Sequence, residues 1–263
     1  MNMRLIKAEW LKLRKRRGLF WWSIALSVGV VAVVFGVIEG LHLANPAQHG
    51  PAGGLTGLTR GLIGLSSAGA LAAILIGAFA GTADVSAGVF RDLVATGRSR
   101  WELFAARLPG ALMFFLPIIT LGYVVVAACS VVFRGSMPAA SASVIARGYG
   151  WVVLSTGFDL AVALGFASFT NSRATTIGVL IGWQFIASPL LLQVSWLGSV
   201  RQLIFNSALA RLNPAPALEG PGSTTVTHSA AVAAVVLVAW VAVMLVAGGW
   251  RVKPTNGPVA KAT

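Results

Sequence analysis

Apolar residues along this chain fall into long runs that are separated by short polar stretches. Six runs reach about 20 residues, the length that a helix needs to cross a hydrocarbon layer of about 30 Å. Because lipid offers no partner to an open backbone, we predict an all-α membrane protein with six transmembrane helices. The predicted spans are residues 19–38, 62–83, 108–133, 148–170, 174–195 and 229–250.

The residues before the first run have a different pattern. Met3, Ile6, Trp10 and Leu13 recur three to four positions apart, and Lys and Arg occupy much of the rest. This spacing predicts an amphipathic helix within residues 1–18 that lies in the headgroup region and binds membrane lipids. The alternative is a basic topological signal with incidental periodicity. The six-helix domain then covers residues 19–250, and a tail covers 251–263.

Charge sets the expected orientation. Only 10% of the residues are charged and 57% are hydrophobic, which excludes an ordinary soluble enzyme. Fifteen of the 20 Lys and Arg fall in the segments on one side of the predicted spans and five on the other. The positive-inside rule therefore predicts that both termini are cytoplasmic. The formal net charge is +13, but the Lys and Arg residues alternate with apolar runs of membrane-spanning length, so we expect no nucleic-acid partner.

Residues 84–107, between the second and third runs, are expected to form a cytoplasmic coupling segment. Its apolar residues describe a short helix that Gly97 ends, and Ser99 with Glu102 then forms a capping box for the third span. A short helix held between two spans can transmit the movement of a partner, although an ordinary loop is the alternative. The candidate contact residues are Val89, Phe90, Arg91, Asp92, Leu93, Arg98 and Arg100.

Residues 196–228, after the fifth run, are too many for a simple hairpin. Apolar residues recur in their first half at roughly helical spacing, and Asn213-Pro214 ends that pattern. We predict a helix that lies at the outer membrane surface or dips into it, where irregular backbone is tolerated if protein covers it. A plain extracellular loop is the alternative.

Asp159 is the one formal charge near the middle of a predicted span. A carboxylate there costs about 2.5–3.5 kcal/mol on insertion scales, so such acids usually face a cavity or a partner. Asp159 is therefore solvated from a cavity, protonated, or hydrogen-bonded to a group such as Tyr123 or Gln184. A structural hydrogen bond between helices and a role in transport both remain open.

Several kinds of chemistry are missing from the sequence. No Gly-Lys dipeptide occurs, so the phosphate-binding loop of ATPases is absent. There is no H-E-x-x-H motif, and the single cysteine, Cys129, can form no intrachain disulfide. We therefore expect no enzymatic activity, no cofactor and no metal in this chain.

Two short motifs resemble a known family. The chain contains A-E-W-L-K-L-R near its start, and after the second run it places Asp84, Gly88, Arg91, Leu93, Ser99-Arg100 and Ala106-Arg107 in order. This arrangement resembles the permease subunits of ATP-binding-cassette exporters of the type-2 membrane family. Asp84 replaces the usual Glu, and Gly97 stands where Pro is frequent, which affects the turn geometry.

The resemblance implies a function and a set of partners. Such a chain forms the substrate pathway of a bacterial exporter in the cytoplasmic membrane and works by alternating access. It pairs with a second permease half, identical or different, and with two copies of a separate ATPase that binds ATP and Mg²⁺. The resemblance also implies re-entrant outer helices after the fifth span. Two alternatives are an ion-coupled secondary transporter that uses Asp159, and a membrane scaffold or immunity subunit that transports nothing.

Overall fold

The structure is a computed structural model that describes residues 3–86, 99–214, 226 and 229–251. Within these ranges the chain is almost entirely helical, no strand occurs, and six helices are long and apolar enough to cross a membrane. The prediction of an all-α, six-span membrane protein is confirmed. In order, the spans are Arg17–Ala44, Gly54–Asp84, Trp101–Val132, Ala142–Thr170, Arg173–Gln193 and Ala230–Arg251.

Shorter helices complete the described part of the chain. The helix Met3–Arg14 precedes the first span. A 3₁₀ helix (Ser195–Leu203) and a two-turn α-helix (Phe205–Arg211) follow the fifth span. The first and fifth spans each contain one π-helical turn, at Ala25–Gly29 and Trp183–Ala187.

The sequence placed several span ends too far inside the helices. The second span begins at Gly54, eight residues earlier than predicted, and the third begins near Trp101 and therefore contains Arg107. Hydrophobicity marks only the apolar centre of a span, whereas the helix continues until its backbone finds a cap. For the third span that cap is the predicted capping box: the Ser99 hydroxyl accepts from the Glu102 amide at 3.1 Å, and the Glu102 carboxylate accepts from the Ser99 amide at 3.4 Å.

The second and fourth spans form the centre of the bundle. A β-carbon added at Gly77 would lie 2.7 Å from the Ala163 β-carbon, and one added at Gly81 would lie 2.7 Å from the Ala167 β-carbon. The two backbones therefore approach each other through small residues four positions apart, which is typical of close helix packing in membranes. We call this contact the Gly–Ala seam.

The N-terminal helix and the end of the sixth span lie at the same end of the bundle. The N-terminal helix crosses the third span at Gly110, where an added β-carbon would lie 3.1 Å from the Ile6 carbonyl oxygen. Gly249, near the end of the sixth span, packs against the ring of Trp101 at the start of the third span. We call this the basic end and the other the far end.

The predicted stripe on the N-terminal helix contacts protein. Ile6 and Leu13 are buried, Trp10 is partly buried, and Met3 is 62% exposed. Because Gly110 has no side chain, the N-terminal helix lies close against the third span. Most of its apolar face therefore packs on the bundle and is not available to lipid. Its placement in the headgroup region stays a prediction.

Candidate functional site

A polar cavity of about 330 Å³ lies within the bundle, towards the far end. Trp151, Ser155 and Asp159 line one wall, and because they are four residues apart they share one face of the fourth span. The other walls come from the second span, the fifth span and the segment that follows it. Those walls are lined by Ile63, Ser66, Ser67, Gln184, Asn206, Leu209, Ala210 and Asn213.

The segment after the fifth span forms one side of this cavity by folding back onto the bundle. The Phe205 ring packs 5.0 Å from that of Phe158 and 5.6 Å from that of Trp240, measured between ring centroids. Two indole N–H groups fix the backbone of the segment, because Trp151 donates to the Leu209 carbonyl at 2.8 Å and Trp240 donates to the Leu203 carbonyl at 2.9 Å. The short helix Phe205–Arg211 therefore packs beside the middle of the fourth span.

Asp159 is the most deeply placed of the three cavity residues on the fourth span, counted from the far end. It lies eight residues beyond Trp151, which corresponds to about 12 Å along a helix. The residue is 5% exposed, and its carboxyl group borders the cavity. No described residue forms a hydrogen bond with that carboxyl group. Among the explanations left open by the sequence, the structure favours an acid that faces a cavity.

Neither of the two hydrogen-bond partners suggested for Asp159 bonds to it in the structure. The Tyr123 hydroxyl donates to the Ile145 carbonyl. Gln184 does share the cavity with Asp159, but its side-chain oxygen accepts from the Asn206 amide at 3.1 Å. The Asn206 side-chain oxygen is itself buried without a hydrogen-bond partner. The cavity thus holds a carboxyl group and an amide oxygen that can both accept from a ligand.

A second polar cluster lies at the basic end, and we call it the ion cluster. Arg107, 1% exposed, donates through Nη2 to the Asp84 carboxylate at 3.0 Å and through Nη1 to the Gly81 carbonyl at 3.1 Å. Lys12 donates to the other Asp84 oxygen at 2.7 Å and to Glu9 at 2.6 Å. The ion cluster therefore joins the N-terminal helix to the end of the second span and the start of the third.

Burial and pairing shift the pKa values of the two groups that the N-terminal helix contributes. Desolvation of the Glu9 carboxyl group raises its pKa, and the hydrogen bond from Lys12 opposes this only in part. Burial acts to lower the pKa of Lys12, but hydrogen bonds to Asp84 and Glu9 outweigh it and raise that pKa. The ammonium group of Lys12 is therefore held in its charged form.

The ion cluster brackets the predicted coupling segment. Asp84 and Arg107 are the first and last residues of 84–107, and the structure joins them directly. The third-span helix starts at Arg100. The remaining candidate contact residues, Val89, Phe90, Arg91, Asp92, Leu93 and Arg98, lie outside the described residues.

Sequence reasoning found part of each site. It singled out Asp159 by its charge but missed Ser66 and Asn206, which carry no such signal and reach the cavity only through packing. It used Arg107 as a topological charge and Asp84 as a residue of the family motif, and it did not pair them. A carboxylate and a guanidinium at the two ends of one connecting segment were the signal that could have found the pair.

Comparisons and metal-ligand geometry add no identification. Within the described residues, no three His, Cys, Asp or Glu side chains come together in a way that could hold a metal ion. Comparison with protein-family models and with curated proteins gives no match for this chain. The functional conclusion therefore depends on the six-helix body, the cavity and the ion cluster.

Proposed function

We propose that this chain is the transmembrane permease subunit of a bacterial ATP-binding-cassette exporter. The observation that carries the proposal is the polar cavity, because a membrane protein gains no stability from a buried, unpaired carboxyl group. Such a group is useful where a ligand enters. The six apolar helices are compatible with a transporter subunit, and the sequence motifs around residues 8–14 and 84–107 favour the exporter family.

In this proposal the energy comes from outside the chain. Two copies of a separate ATPase bind ATP and Mg²⁺, and a second permease half, identical or different, completes the pathway in the cytoplasmic membrane. Both termini are cytoplasmic, so the basic end faces the ATPase. ATPase closure pushes on residues 84–107 and rocks the bundles between inward-open and outward-open states.

The ion cluster supports this route of coupling. Asp84 and Arg107 lie at the two ends of the segment, and Lys12 ties the N-terminal helix to the same carboxylate. A displacement of the segment would therefore reach the second span, the third span and the N-terminal helix together. The buried pair couples the second and third spans directly, and Lys12 adds a weaker, partly exposed link to the N-terminal helix.

Replacement of Phe90 and Leu93 by Ser tests the proposed docking. The six spans are untouched, so insertion should be normal, while losing two buried apolar contacts costs about 1.5–3 kcal/mol each. We expect co-purification of the ATPase and substrate-stimulated ATP hydrolysis to fall at least tenfold. The matched control replaces Trp196 and Val200 by Ser, because both are exposed apolar residues of the 3₁₀ helix at the far end. Equal retention of the ATPase by both double variants contradicts the docking role.

Asp159 favours a second candidate function, an ion-coupled secondary transporter. A buried acid beside a polar cavity could carry a proton as well as bind a ligand. Native purification separates the candidates. A co-purifying ATPase supports the exporter, and proton-dependent flux without an ATPase supports the secondary transporter. The absence of both an ATPase and such a flux indicates a scaffold or immunity subunit.

A further inference from the structure

We propose that the polar cavity binds a small organic monocation, with Asp159 as its counter-ion. The inference deepens the proposed function, because it names the chemical class of the substrate. Binding itself needs neither ATP nor the partner subunits. It can therefore be measured on this chain alone.

The charge of the cavity is one-sided. Of the described residues that line it, Asp159 alone carries a formal charge, and only 5% of its surface is exposed. A buried carboxylate without a partner is strongly unfavourable, and a bound cation would remove that cost. A bound anion would instead add like-charge repulsion in a medium of low dielectric constant.

The remaining lining groups suit a cation with an apolar body. Trp151 lines the cavity about two helical turns from Asp159, and aromatic side chains attract organic cations. Leu209 and Ile63 add apolar surface. A molecule with its charge near Asp159 and its apolar part towards Trp151 would use both ends of this wall.

The polar side chains of the other walls provide acceptors for a ligand that carries N–H groups. The Asn206 side-chain oxygen is buried and has no hydrogen-bond partner, and the Ser66 hydroxyl donates to the Ile63 carbonyl at 3.0 Å, which leaves its lone pairs free to accept. A cation with N–H donors would pair with these atoms in addition to the carboxylate.

The size of the cavity limits the ligand. Ligand sites in proteins typically measure about 300–1,000 Å³, and this cavity of about 330 Å³ is at the small end of that range. It has room for one or two aromatic rings, which suits a compact ligand better than a peptide or a complete phospholipid. The substrate class that fits is therefore a compact amine or quaternary ammonium compound.

The test uses a fluorescent permanent cation, 4-(4-(dimethylamino)styryl)-N-methylpyridinium, and the corresponding pyridine, which lacks the methyl group on the ring nitrogen. The second compound is uncharged at mildly alkaline pH and has nearly the same shape. The full chain is placed in nanodiscs of neutral lipid, and binding is followed by fluorescence and by competition with tetraethylammonium. We expect the cation to bind at least about tenfold more tightly than its neutral analogue, which corresponds to about 1.4 kcal/mol.

Three variants separate charge from shape. Asp159→Asn keeps the shape and should lower cation affinity at least about tenfold, with little change for the neutral analogue. Ala210→Phe fills the cavity from an exposed helical position and should weaken both compounds. Glu39→Gln removes a different acid of the first span, outside the cavity lining, and should change neither. The thermal unfolding midpoint of each variant shows whether it is folded.

The outcomes are distinct. Equal binding of cation and neutral analogue by wild type, or unchanged cation binding by folded Asp159→Asn, overturns the counter-ion role. If Asp159→Asn does not fold, Ala210→Phe still decides, because retained cation binding in that variant excludes the cavity as the site. Cation binding without a co-purifying ATPase supports this inference and contradicts the exporter function. A co-purifying ATPase without cation binding contradicts only this inference.

Discussion

Arg107 and Asp84 form a buried ion pair in which each residue depends on the other. Removing one partner of a buried pair costs up to about 3–5 kcal/mol, and Lys12 remains as a partner of Asp84 when Arg107 is replaced. We therefore expect Arg107→Met to lower the thermal unfolding midpoint strongly in detergent solution. Asp84→Asn should act in the same direction.

Lys12→Met is the matched control for that prediction. The Lys12 side chain is 37% exposed, and pairs that water reaches contribute about 0–1 kcal/mol. Its unfolding midpoint should therefore fall much less than that of Arg107→Met. Equal decreases in the two variants would show that burial of Arg107 does not determine the strength of the cluster.

Glu9 gives the ion cluster a pH dependence. Desolvation raises the pKa of Glu9 in the folded chain above its ordinary value of 4.5, so the folded state holds this proton more tightly than the unfolded state does. The stabilising contribution is complete below pH 4.5 and is lost as the pH rises through the raised pKa. As the pH rises from 4.5 through the raised pKa, we expect the unfolding midpoint of wild type to fall relative to that of Glu9→Gln. A constant difference between the two proteins across the interval would contradict this.

At the scale of elements, the Gly–Ala seam sets the distance between the second and fourth spans. A side chain at Gly81 would meet the Ala167 β-carbon and the Leu164 carbonyl oxygen, each 2.7 Å from the added β-carbon. Overpacking of this kind costs about 1–3 kcal/mol, and we expect Gly81→Val to lower the unfolding midpoint and the yield of folded protein.

Gly36 of the first span is the matched control for the seam. An added β-carbon there meets nothing within 4 Å, so Gly36→Val should have a small effect. Thermal unfolding and size-exclusion chromatography of the two variants test the difference. A similar loss in both would mean that valine destabilises these helices through backbone propensity and that the seam is not responsible.

The sequence predicted the elements better than their ends or their partners. Apolar runs identified all six spans, and the Ser99–Glu102 capping box was correct because capping depends on residues three apart. The Asp84–Arg107 pair joins positions 23 residues apart, and such pairing is decided by how the second and third spans pack. The same holds for the cavity, because its walls come from elements that are distant along the chain.

At the scale of the whole molecule, one span separates Met3 from Gly50 and three separate it from Ser136, so these odd numbers should leave both residues on the side opposite Met3. All three are exposed in the structure, so single cysteines there, in a Cys129→Ala background, can react with a reagent. We expect an impermeant thiol reagent added outside intact cells to label Gly50→Cys and Ser136→Cys but not Met3→Cys. Labelling of Met3→Cys alone would reverse the orientation that the charge bias predicts.

The Gly–Ala seam also has a mechanical consequence. At the Gly–Ala seam the backbones of the second and fourth spans touch through glycine and alanine, so no long side chain can rearrange between them there and we expect the two spans to move together. The fifth span, by contrast, has little of its surface buried in the chain and contains a π-helical turn that includes Gln184. We therefore expect any change in the volume of the cavity to come from movement of the fifth span and the segment after it, relative to the second span and to the fourth, which carries Asp159.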